Sequence, residues 1–273
     1  MIKLPSFCLL FLILAACNGG ESTPPVEPET SPQTDATYIK EVLASAQSNL
    51  PIPNNQVVDH YQILLLGNSH SQGVGDIVER LIKARFPQKQ VTTFTPVDGL
   101  FLSDRISDRT TLENLVNTPW THVILQAQKY SASGLVSYPT DAAVSFIQLA
   151  KTQDSTPILF PEHPRFNNIT EGLQVHLLHK GIAEQDLACV APIGLTWDAM
   201  IELDRNLDMH QSDGNHANSA GKTLTSLVLY QVITGESADE LPYIGSLSVN
   251  ESTQNIFGQI ASLSLEQNPA CIF

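Results

Sequence analysis

Basic residues are scarce in this chain of 273 residues: it has 14 Lys and Arg against 28 Asp and Glu, for a formal net charge of −14 at pH 7. A protein this acidic is repelled by phosphate backbones, which argues against nucleic acid as a partner. The same imbalance argues against a polybasic surface that would bind an anionic membrane. The composition therefore favours a ligand that is not a polyanion.

The sequence also lacks the short motifs of cofactor sites. No P-loop, Gly-x-Gly-x-x-Gly or Cys-x-x-Cys pattern occurs, so no nucleotide or redox cofactor is expected. His210 and His216 flank Asp213, but this spacing matches neither a helical His-x-x-x-His site nor a Cys/His finger. We predict that the protein needs no cofactor and no metal.

The N-terminal apolar run is too short to span a bilayer comfortably. Residues 1–16 contain one lysine, an apolar run from Phe7 to Leu14 and a small-residue end, which is typical of a secretory signal peptide. The ending Leu-Ala-Ala-Cys at Cys17 resembles the lipobox of bacterial lipoproteins. That resemblance implies a lipid on Cys17 and a place in the bacterial cell envelope, at the outer membrane, facing the periplasm or the surface. An ordinary secretory peptide is the alternative.

The rest of the chain divides into a tether and a single domain. Residues 17–37 are Gly, Glu, Ser, Thr and Pro with almost nothing apolar, which predicts a disordered tether. Residues 38–273 are long enough to bury one sizeable core. Strand patterns lie near 62–66, 90–95, 121–126, 156–160 and 188–192, and helical patterns at 38–49, 73–86, 140–153, 170–185 and 218–234. This alternation predicts an α/β fold with a mostly parallel sheet and helices on both faces.

The most informative stretch is the apolar run 63–66 followed by Gly67-Asn68-Ser69-His70-Ser71. A short apolar run bounded by turn formers is typical of a strand buried on both faces, and ligands bind beyond the carboxyl ends of such strands. Helical spacing after residue 73 predicts that Ser69 lies at a helix N-terminus, where backbone N–H groups can stabilise an oxyanion. Ser69 is therefore a candidate nucleophile. The alternative is that it only caps the helix.

A second motif, Asp213-Gly214-Asn215-His216, supplies the partners that a serine nucleophile needs. A serine hydroxyl requires a base, and histidine changes charge near neutral pH. If residues 214 and 215 form a turn, the Asp213 carboxylate can fold back and orient His216. A purely structural Asp-Gly turn would look similar.

Together the two motifs resemble the sequence blocks of the SGNH hydrolases, also called GDSL esterases and lipases, over about residues 60–235. The resemblance implies a three-layer flavodoxin-like fold with a five-stranded sheet in the order 2-1-3-4-5. It also implies that Ser69, His216 and Asp213 form a catalytic triad that hydrolyses esters.

Two positions depart from the pattern of that family. Asn68 stands where the family usually has Asp, and Gln126 stands where it usually has an oxyanion-binding Asn. A Gln in this place resembles a subset of SGNH-like bacterial proteins of uncharacterised activity. The resemblance makes Gly99 and Gln126 candidate oxyanion donors, although Gln126 could instead only cap a strand end. His70 is expected to be a wall of the substrate pocket or a capping group, and the segment 161–165 is expected to line the substrate site.

Two cysteines remain once Cys8 leaves with the signal peptide and Cys17 is lipidated. In an oxidising compartment the remaining pair, Cys189 and Cys271, can form a disulfide. The alternative is that Cys189 stays a free buried thiol in an apolar strand.

These features predict a serine esterase of the cell envelope that cleaves small esters or removes acetyl groups from a glycan. The glycan is suggested by location alone. The main alternative is a non-catalytic glycan-binding or surface lipoprotein that lost turnover, which the departures at Asn68 and Gln126 motivate. A pure envelope scaffold is a further alternative.

Overall fold

Short parallel strands form the central layer of the protein. The structure is a computed structural model that describes residues 34–126, 135–136 and 138–273. The strands are β1 (His60–Leu66), β2 (Gln90–Phe94), β3 (His122–Leu125), β4 (Thr156–Leu159) and β5 (Cys189–Val190). They pair in parallel in the order β2-β1-β3-β4-β5. The predicted parallel sheet and the strand order implied by the resemblance are both confirmed.

Helices connect the strands and cover both faces of the sheet. They are α1 (Asp35–Ser45), α2 (Val74–Arg85), α3 (Leu102–Arg105), α4 (Arg109–Asn117), α5 (Asp141–Thr152), α6 (Glu171–Gln185), α7 (Ile193–Leu203), α8 (Ser219–Thr234) and α9 (Glu251–Gln267). The helical patterns predict α2, α5, α6 and α8 to within one residue at each end. They do not predict α3, α4, α7 or α9.

The last four residues of β1, Ile63–Leu66, are all apolar because both faces of the strand pack against helices there. Ile63 and Leu65 belong to the core shared with α2, α7, α8 and α9, whereas Leu64 and Leu66 belong to the core shared with α4 and α5. All four side chains are at most 1% exposed. Burying a side chain of this size contributes roughly 1.5–3 kcal/mol. The strand that leads to Ser69 is therefore held firmly in the middle of the domain.

The described chain begins in a helix rather than in a tether. Thr34 caps α1 by accepting a hydrogen bond from the Thr37 N–H, and Val42 of this helix is buried in the core. The prediction of a tether over 17–37 is therefore wrong for its last residues, because the cap and the apolar face of α1 order them. The predicted signal peptide at 1–16, the lipidation site Cys17 and the tether up to residue 33 lie outside the described residues.

The C-terminal tail covers the edge strand β5. The Val190 N–H donates to the Ala270 carbonyl at 2.8 Å, and a disulfide joins Cys189 to Cys271 across 82 positions of sequence. An uncovered edge strand can pair with another chain, and the tail prevents this. Of the two alternatives for Cys189, the structure shows the disulfide. Within the ranges that the structure describes, no helix is both long and apolar enough to cross a bilayer.

Candidate active site

Ser69 lies on a tight turn just beyond the carboxyl end of β1. Residues Ser69–Ser71 form a single turn of 3-10 helix, and the Asn68 side chain caps it by accepting a hydrogen bond from the His70 N–H at 3.0 Å. Gly73, with φ of 77°, separates this turn from α2. Ser69 therefore lies at the N-terminus of this 3-10 turn and not, as predicted, at the N-terminus of the helix that follows residue 73. The alternative that Ser69 is merely a cap also fails, since Asn68 is the cap.

The side chains of Ser69, His216 and Asp213 form a continuous hydrogen-bonded chain. Ser69 Oγ lies 2.8 Å from His216 Nε2, although 147 positions of sequence separate the two residues. His216 Nδ1 lies 2.6 Å from Asp213 Oδ2. The two motifs thus meet beyond the carboxyl ends of the strands, in an arrangement that can pass a proton from the hydroxyl to the imidazole.

The turn at Gly214 places the Asp213 carboxylate behind the His216 ring. Gly214 has φ of 67°, and Asp213 Oδ1 accepts the backbone N–H groups of Asn215 at 2.9 Å and His216 at 3.0 Å. The hydrogen bond from the His216 ring, followed by these backbone bonds, holds the pKa of Asp213 well below its usual value. An ionised Asp213 keeps the ring proton on Nδ1, which leaves Nε2 free to accept a proton from Ser69.

The ring of His70 stacks on that of His216, with 4.6 Å between ring centroids and 21° between planes. Its side chain is 9% exposed. Burial, and then the charge of His216, lower the pKa of His70 to about 4, so the ring is neutral near pH 7. Its Nε2 therefore accepts from Asn215 Nδ2, which lies 3.3 Å away. The structure places His70 beside His216, and its predicted role as a pocket wall stays a prediction.

Gln126 is hydrogen-bonded to the turn that carries Ser69. Its side chain is fully buried; Oε1 accepts the Asn68 N–H at 2.9 Å, and Nε2 donates to Glu162 Oε1 at 2.6 Å. A Cβ at position 67 would collide with the amide oxygen of Gln126, which explains the glycine there. One hydrogen of the Gln126 amide is used by Glu162, so an oxyanion would have to take the other. The oxyanion role of Gln126 stays a prediction.

Gly99 lies in a loop that is hydrogen-bonded to the residues just after Ser69. Gln72 Nε2 donates to the Pro96 carbonyl at 3.0 Å, and the Leu100 N–H donates to Asp98 Oδ1 at 3.2 Å across Gly99. Gly99 has φ of 70°, and a Cβ there would meet no atom within 4 Å among the described residues. The residue predicted as an oxyanion donor thus sits at an open position in a turn that only glycine adopts easily.

Arg105, which sequence reasoning missed, connects these two loops beneath the surface. It is fully buried; Nη2 donates to the Gly67 carbonyl at 3.0 Å and pairs with Asp98 Oδ1, and Nη1 donates to Asp98 Oδ2 at 3.1 Å. Burial opposes ionisation of Asp98, but the bonds from Arg105 and from the Leu100 N–H outweigh it and lower the pKa of Asp98. No local motif marks an arginine that acts through distant partners.

Two further histidines support the loop of His216. His163 stacks on Trp197 at a centroid distance of 4.2 Å, and its Nε2 lies 3.0 Å from the Asn215 carbonyl. His210 Nε2 donates to the Pro164 carbonyl at 2.8 Å. Burial first, and then the charge of His70, lower the pKa of His163 to about 3.

The segment 161–165 was expected to line the substrate site, and the structure corrects this for most of it. Glu162 and His163 are 8% and 3% exposed, because they pack on Gln126 and Trp197 behind the site. Arg165 is the exposed member of the segment, and it lines an open groove next to the Asp213 turn, where Ser212 and Gly214 but neither Ser69 nor His216 belong to the lining.

That groove is a cavity of about 980 Å³ between the loop 164–169, the end of α7 and the segment 206–212. A smaller cavity of about 440 Å³ shares Phe166 with it and reaches Asp213 and Gly214. The Phe166 N–H donates to the Gly214 carbonyl at 2.8 Å, so the wall of the groove and the Asp213 turn form one hydrogen-bonded unit. In the part of the chain that the structure describes, no group of three or more His, Cys, Asp or Glu side chains could hold a metal ion.

No protein-family model and no curated protein matches this sequence. Two solved structures are similar in fold. One is a candidate SGNH hydrolase from Slackia heliotrinireducens, 20% identical, with a TM-score of 0.50 over 63% of this chain and 98% of that one. The other is a DUF4886 family protein from Bacteroides uniformis, 14% identical, with a TM-score of 0.59 over 79% of this chain and 98% of that one. At these identities the likeness shows a shared SGNH-like fold, and the chemistry depends on the side chains described above.

Proposed function

We propose that this chain, which has the SGNH hydrolase-like fold, is a serine esterase that uses Ser69, His216 and Asp213. The observation that carries the proposal is the hydrogen bond of 2.8 Å between Ser69 Oγ and His216 Nε2, with Asp213 on the other ring nitrogen. A histidine with a purely structural role is usually buried and bonded to the backbone, whereas His216 lies between an exposed serine and an exposed carboxylate. The arrangement at the rim of the sheet instead suits attack on a bound carbonyl.

In the proposed reaction Ser69 Oγ attacks the ester carbonyl while His216 accepts the hydroxyl proton. The negative charge that develops on the carbonyl oxygen is held by the backbone N–H groups of Ser69 and Gly99, with the second amide hydrogen of Gln126. His216 then returns the proton to the leaving alcohol, and water repeats the sequence on the acyl-enzyme. Asp213 orients the ring and stabilises the imidazolium.

The groove next to the Asp213 turn is where we infer that part of a large alcohol half, such as an acetylated glycan, would lie as it extends away from Ser69. Its volume of about 980 Å³ lies at the upper end of the range for ligand pockets, which is about 300–1,000 Å³. Phe166, 62% exposed, presents an aromatic ring that suits the apolar face of a sugar. Asp198, Glu202 and Arg205 also line the groove and can exchange hydrogen bonds with hydroxyl groups.

We further propose that the domain is held at the bacterial cell envelope by a lipid on Cys17, with the acyl hydrolase facing the periplasm or the surface. The lipobox-like sequence that ends at Cys17 supports this location. Labelling the protein with a palmitate analogue, with and without Cys17→Ser, would test it. Label that persists in Cys17→Ser would contradict the proposal.

The esterase proposal is tested by hydrolysis of 4-nitrophenyl acetate. We expect the full chain to hydrolyse it and Ser69→Ala or His216→Ala to lose at least about 10³-fold in kcat. Ser252→Ala, which changes an exposed serine on α9, is the matched control and should retain full activity. Hydrolysis that survives in Ser69→Ala would refute the mechanism.

The choice of substrate is tested with Phe166→Ala. On an acetylated xylo-oligosaccharide we expect this variant to raise KM about tenfold, while kcat/KM for 4-nitrophenyl acetate stays unchanged.

The bond between Gln126 and Glu162 favours one alternative, a glycan-binding protein without turnover, because it occupies one hydrogen of the amide that an oxyanion would use. Retardation of the wild type in a gel that contains acetylated xylan, without release of acetate, would favour that alternative.

A further inference from the structure

Arg105 touches both loops that the proposed esterase needs for its oxyanion hole. Through the Gly67 carbonyl it contacts the turn that carries Ser69. Through a two-pronged pair with the Asp98 carboxylate it contacts the turn that carries Gly99. The guanidinium is fully buried, and a planar fork of this kind fixes both the distance and the angle between its partners.

The same carboxylate also shapes the turn at Gly99. Asp98 Oδ1 accepts the Leu100 N–H at 3.2 Å, so the Asp98 side chain spans Gly99 and holds its backbone at φ of 70°. A second bond, from Gln72 Nε2 to the Pro96 carbonyl at 3.0 Å, fastens the start of this loop to the residues after Ser69. Arg105 holds the later part of the same loop through Asp98.

The backbone N–H groups of Ser69 and Gly99 donate no hydrogen bond to any acceptor within the described part of the chain. Ser69 and Gly99 are both exposed at the rim of the sheet. Two free donors held on separate loops stabilise an oxyanion only if their spacing is set in advance, because reorganising them during the reaction would cancel the gain.

We propose that Arg105 is a positioning residue that sets the spacing of the Ser69 and Gly99 N–H donors, through Gly67 on one side and Asp98 on the other. This inference rests on the proposed esterase function. It predicts an effect on the transition state, where the oxyanion exists, and little effect on the binding of the uncharged ester.

The test compares Arg105→Met and Arg105→Lys with the wild-type full chain, using 4-nitrophenyl acetate and an active-site titration to count working sites. We expect kcat per titrated site to fall on the order of 10²-fold in Arg105→Met, as when one oxyanion donor is lost, with KM changed less than about threefold. Arg105→Lys should fall less, because an ammonium can pair with Asp98 but cannot form the fork that also reaches Gly67. The affinity for a trifluoromethyl ketone, which forms an oxyanion with the serine, should weaken in parallel with kcat.

Lys151→Met is the matched control. It removes a buried ion pair with Asp186 at the amino ends of the strands, away from Ser69, and should lower thermal stability while leaving kcat per titrated site unchanged. If Arg105→Met does not fold, Asp98→Asn carries the test, since Asp98 is 43% exposed; it should lower kcat about tenfold.

The inference is overturned if kcat per titrated site in Arg105→Met, or in Asp98→Asn where that variant carries the test, stays within about threefold of wild type. It is also overturned if kcat falls while the affinity for the ketone stays unchanged. A fall in kcat per titrated site that is equally large in Lys151→Met would overturn it as well. A wild type that hydrolyses no ester and binds no ketone would instead overturn the proposed function itself. The two failures are therefore distinguishable.

Discussion

The imidazole ring of His70 lies flat against that of His216, with 4.6 Å between the ring centroids. His70 is neutral near pH 7 because burial lowers its pKa to about 4. In the proposed reaction His216 takes the proton of Ser69 and becomes an imidazolium, and a neutral aromatic face beside a cation is attractive by about 0.5–2 kcal/mol. The pair therefore favours the charged form of the base at the moment when the reaction needs it.

We expect His70→Ala to lower kcat for 4-nitrophenyl acetate about 2- to 30-fold, which is the stacking free energy converted to a rate. His70→Phe keeps an aromatic face and should stay within about threefold of wild type. Steady-state kinetics of both variants checks the prediction. An equal loss in both would show that the bond from Asn215 to His70 matters, rather than the stacking.

Asp213→Asn should lower kcat by about 10²- to 10⁴-fold. The amide can donate to Nδ1, which favours the ring tautomer whose Nε2 carries a proton and cannot accept the one from Ser69. Because Asp213 is 47% exposed, water replaces part of its effect, and we expect the lower end of that range. Asp204→Asn, at another exposed aspartate, is the control for the kinetic assay and should retain wild-type kcat. A variant Asp213→Asn with wild-type kcat would show that His216 acts without a carboxylate partner.

Removing the disulfide by Cys271→Ser should lower the free energy of unfolding by about 2–4 kcal/mol, because the unfolded chain regains the freedom of a loop of about 80 residues. The kcat for a small ester should change less than twofold, since the bridge lies at the edge strand β5. Urea denaturation of the two forms gives the difference. Peptide mapping that locates reactive thiols at both Cys189 and Cys271 in the denatured, unreduced wild type would contradict the bridge itself.

The buried histidine His122 should make the fold sensitive to acid. It is fully buried, and burial lowers its pKa to about 3, whereas in the unfolded chain a histidine has a pKa of about 6.5. Between these values the unfolded state binds a proton that the folded state does not, so stability is full above pH 6.5 and falls as the pH drops towards 3. The slope from one such group is at most about 1.4 kcal/mol per pH unit.

Urea denaturation of wild type and His122→Gln at pH 7.5, 6.0 and 5.0 measures this slope. Between pH 6.0 and 5.0 the variant should lose less stability than wild type, because its amide does not titrate. Comparing the two proteins cancels the contributions of the carboxylates. Parallel curves would show that His122 takes up its proton equally in the folded and unfolded states.

The parts of the fold that follow a strong local period could be predicted from sequence. α2 shows a regular helical pattern, α8 ends at the stop signal Gly235, and Ile63–Leu66 of β1 form an unbroken apolar run because they are buried on both faces. α7 could not be predicted, because only two residues separate it from the apolar strand β5 and no polar turn lies between the two apolar segments. In α9 the buried face includes the polar Gln254, which donates to the Pro242 carbonyl and hides the period.

The same limit applies to the candidate site. Ser69 and the Asp213–His216 turn lie in short motifs, and the residues next to them in sequence are enough to predict their chemistry. The supporting contacts join positions that are far apart in sequence: Arg105 reaches Gly67 across 38 positions, and Gln126 reaches Glu162 across 36. Such pairs leave no local pattern, so only the folded chain reveals them.

Covalent labelling with a fluorophosphonate tests the central claim most directly, because only a serine activated by its neighbours reacts with it rapidly. Intact-mass analysis and peptide mapping of the full chain should show one adduct, located on Ser69, and the adduct should disappear in Ser69→Ala and become at least about 100-fold slower in His216→Ala. An unlabelled wild type, or an adduct on another residue that persists in Ser69→Ala, would contradict the account.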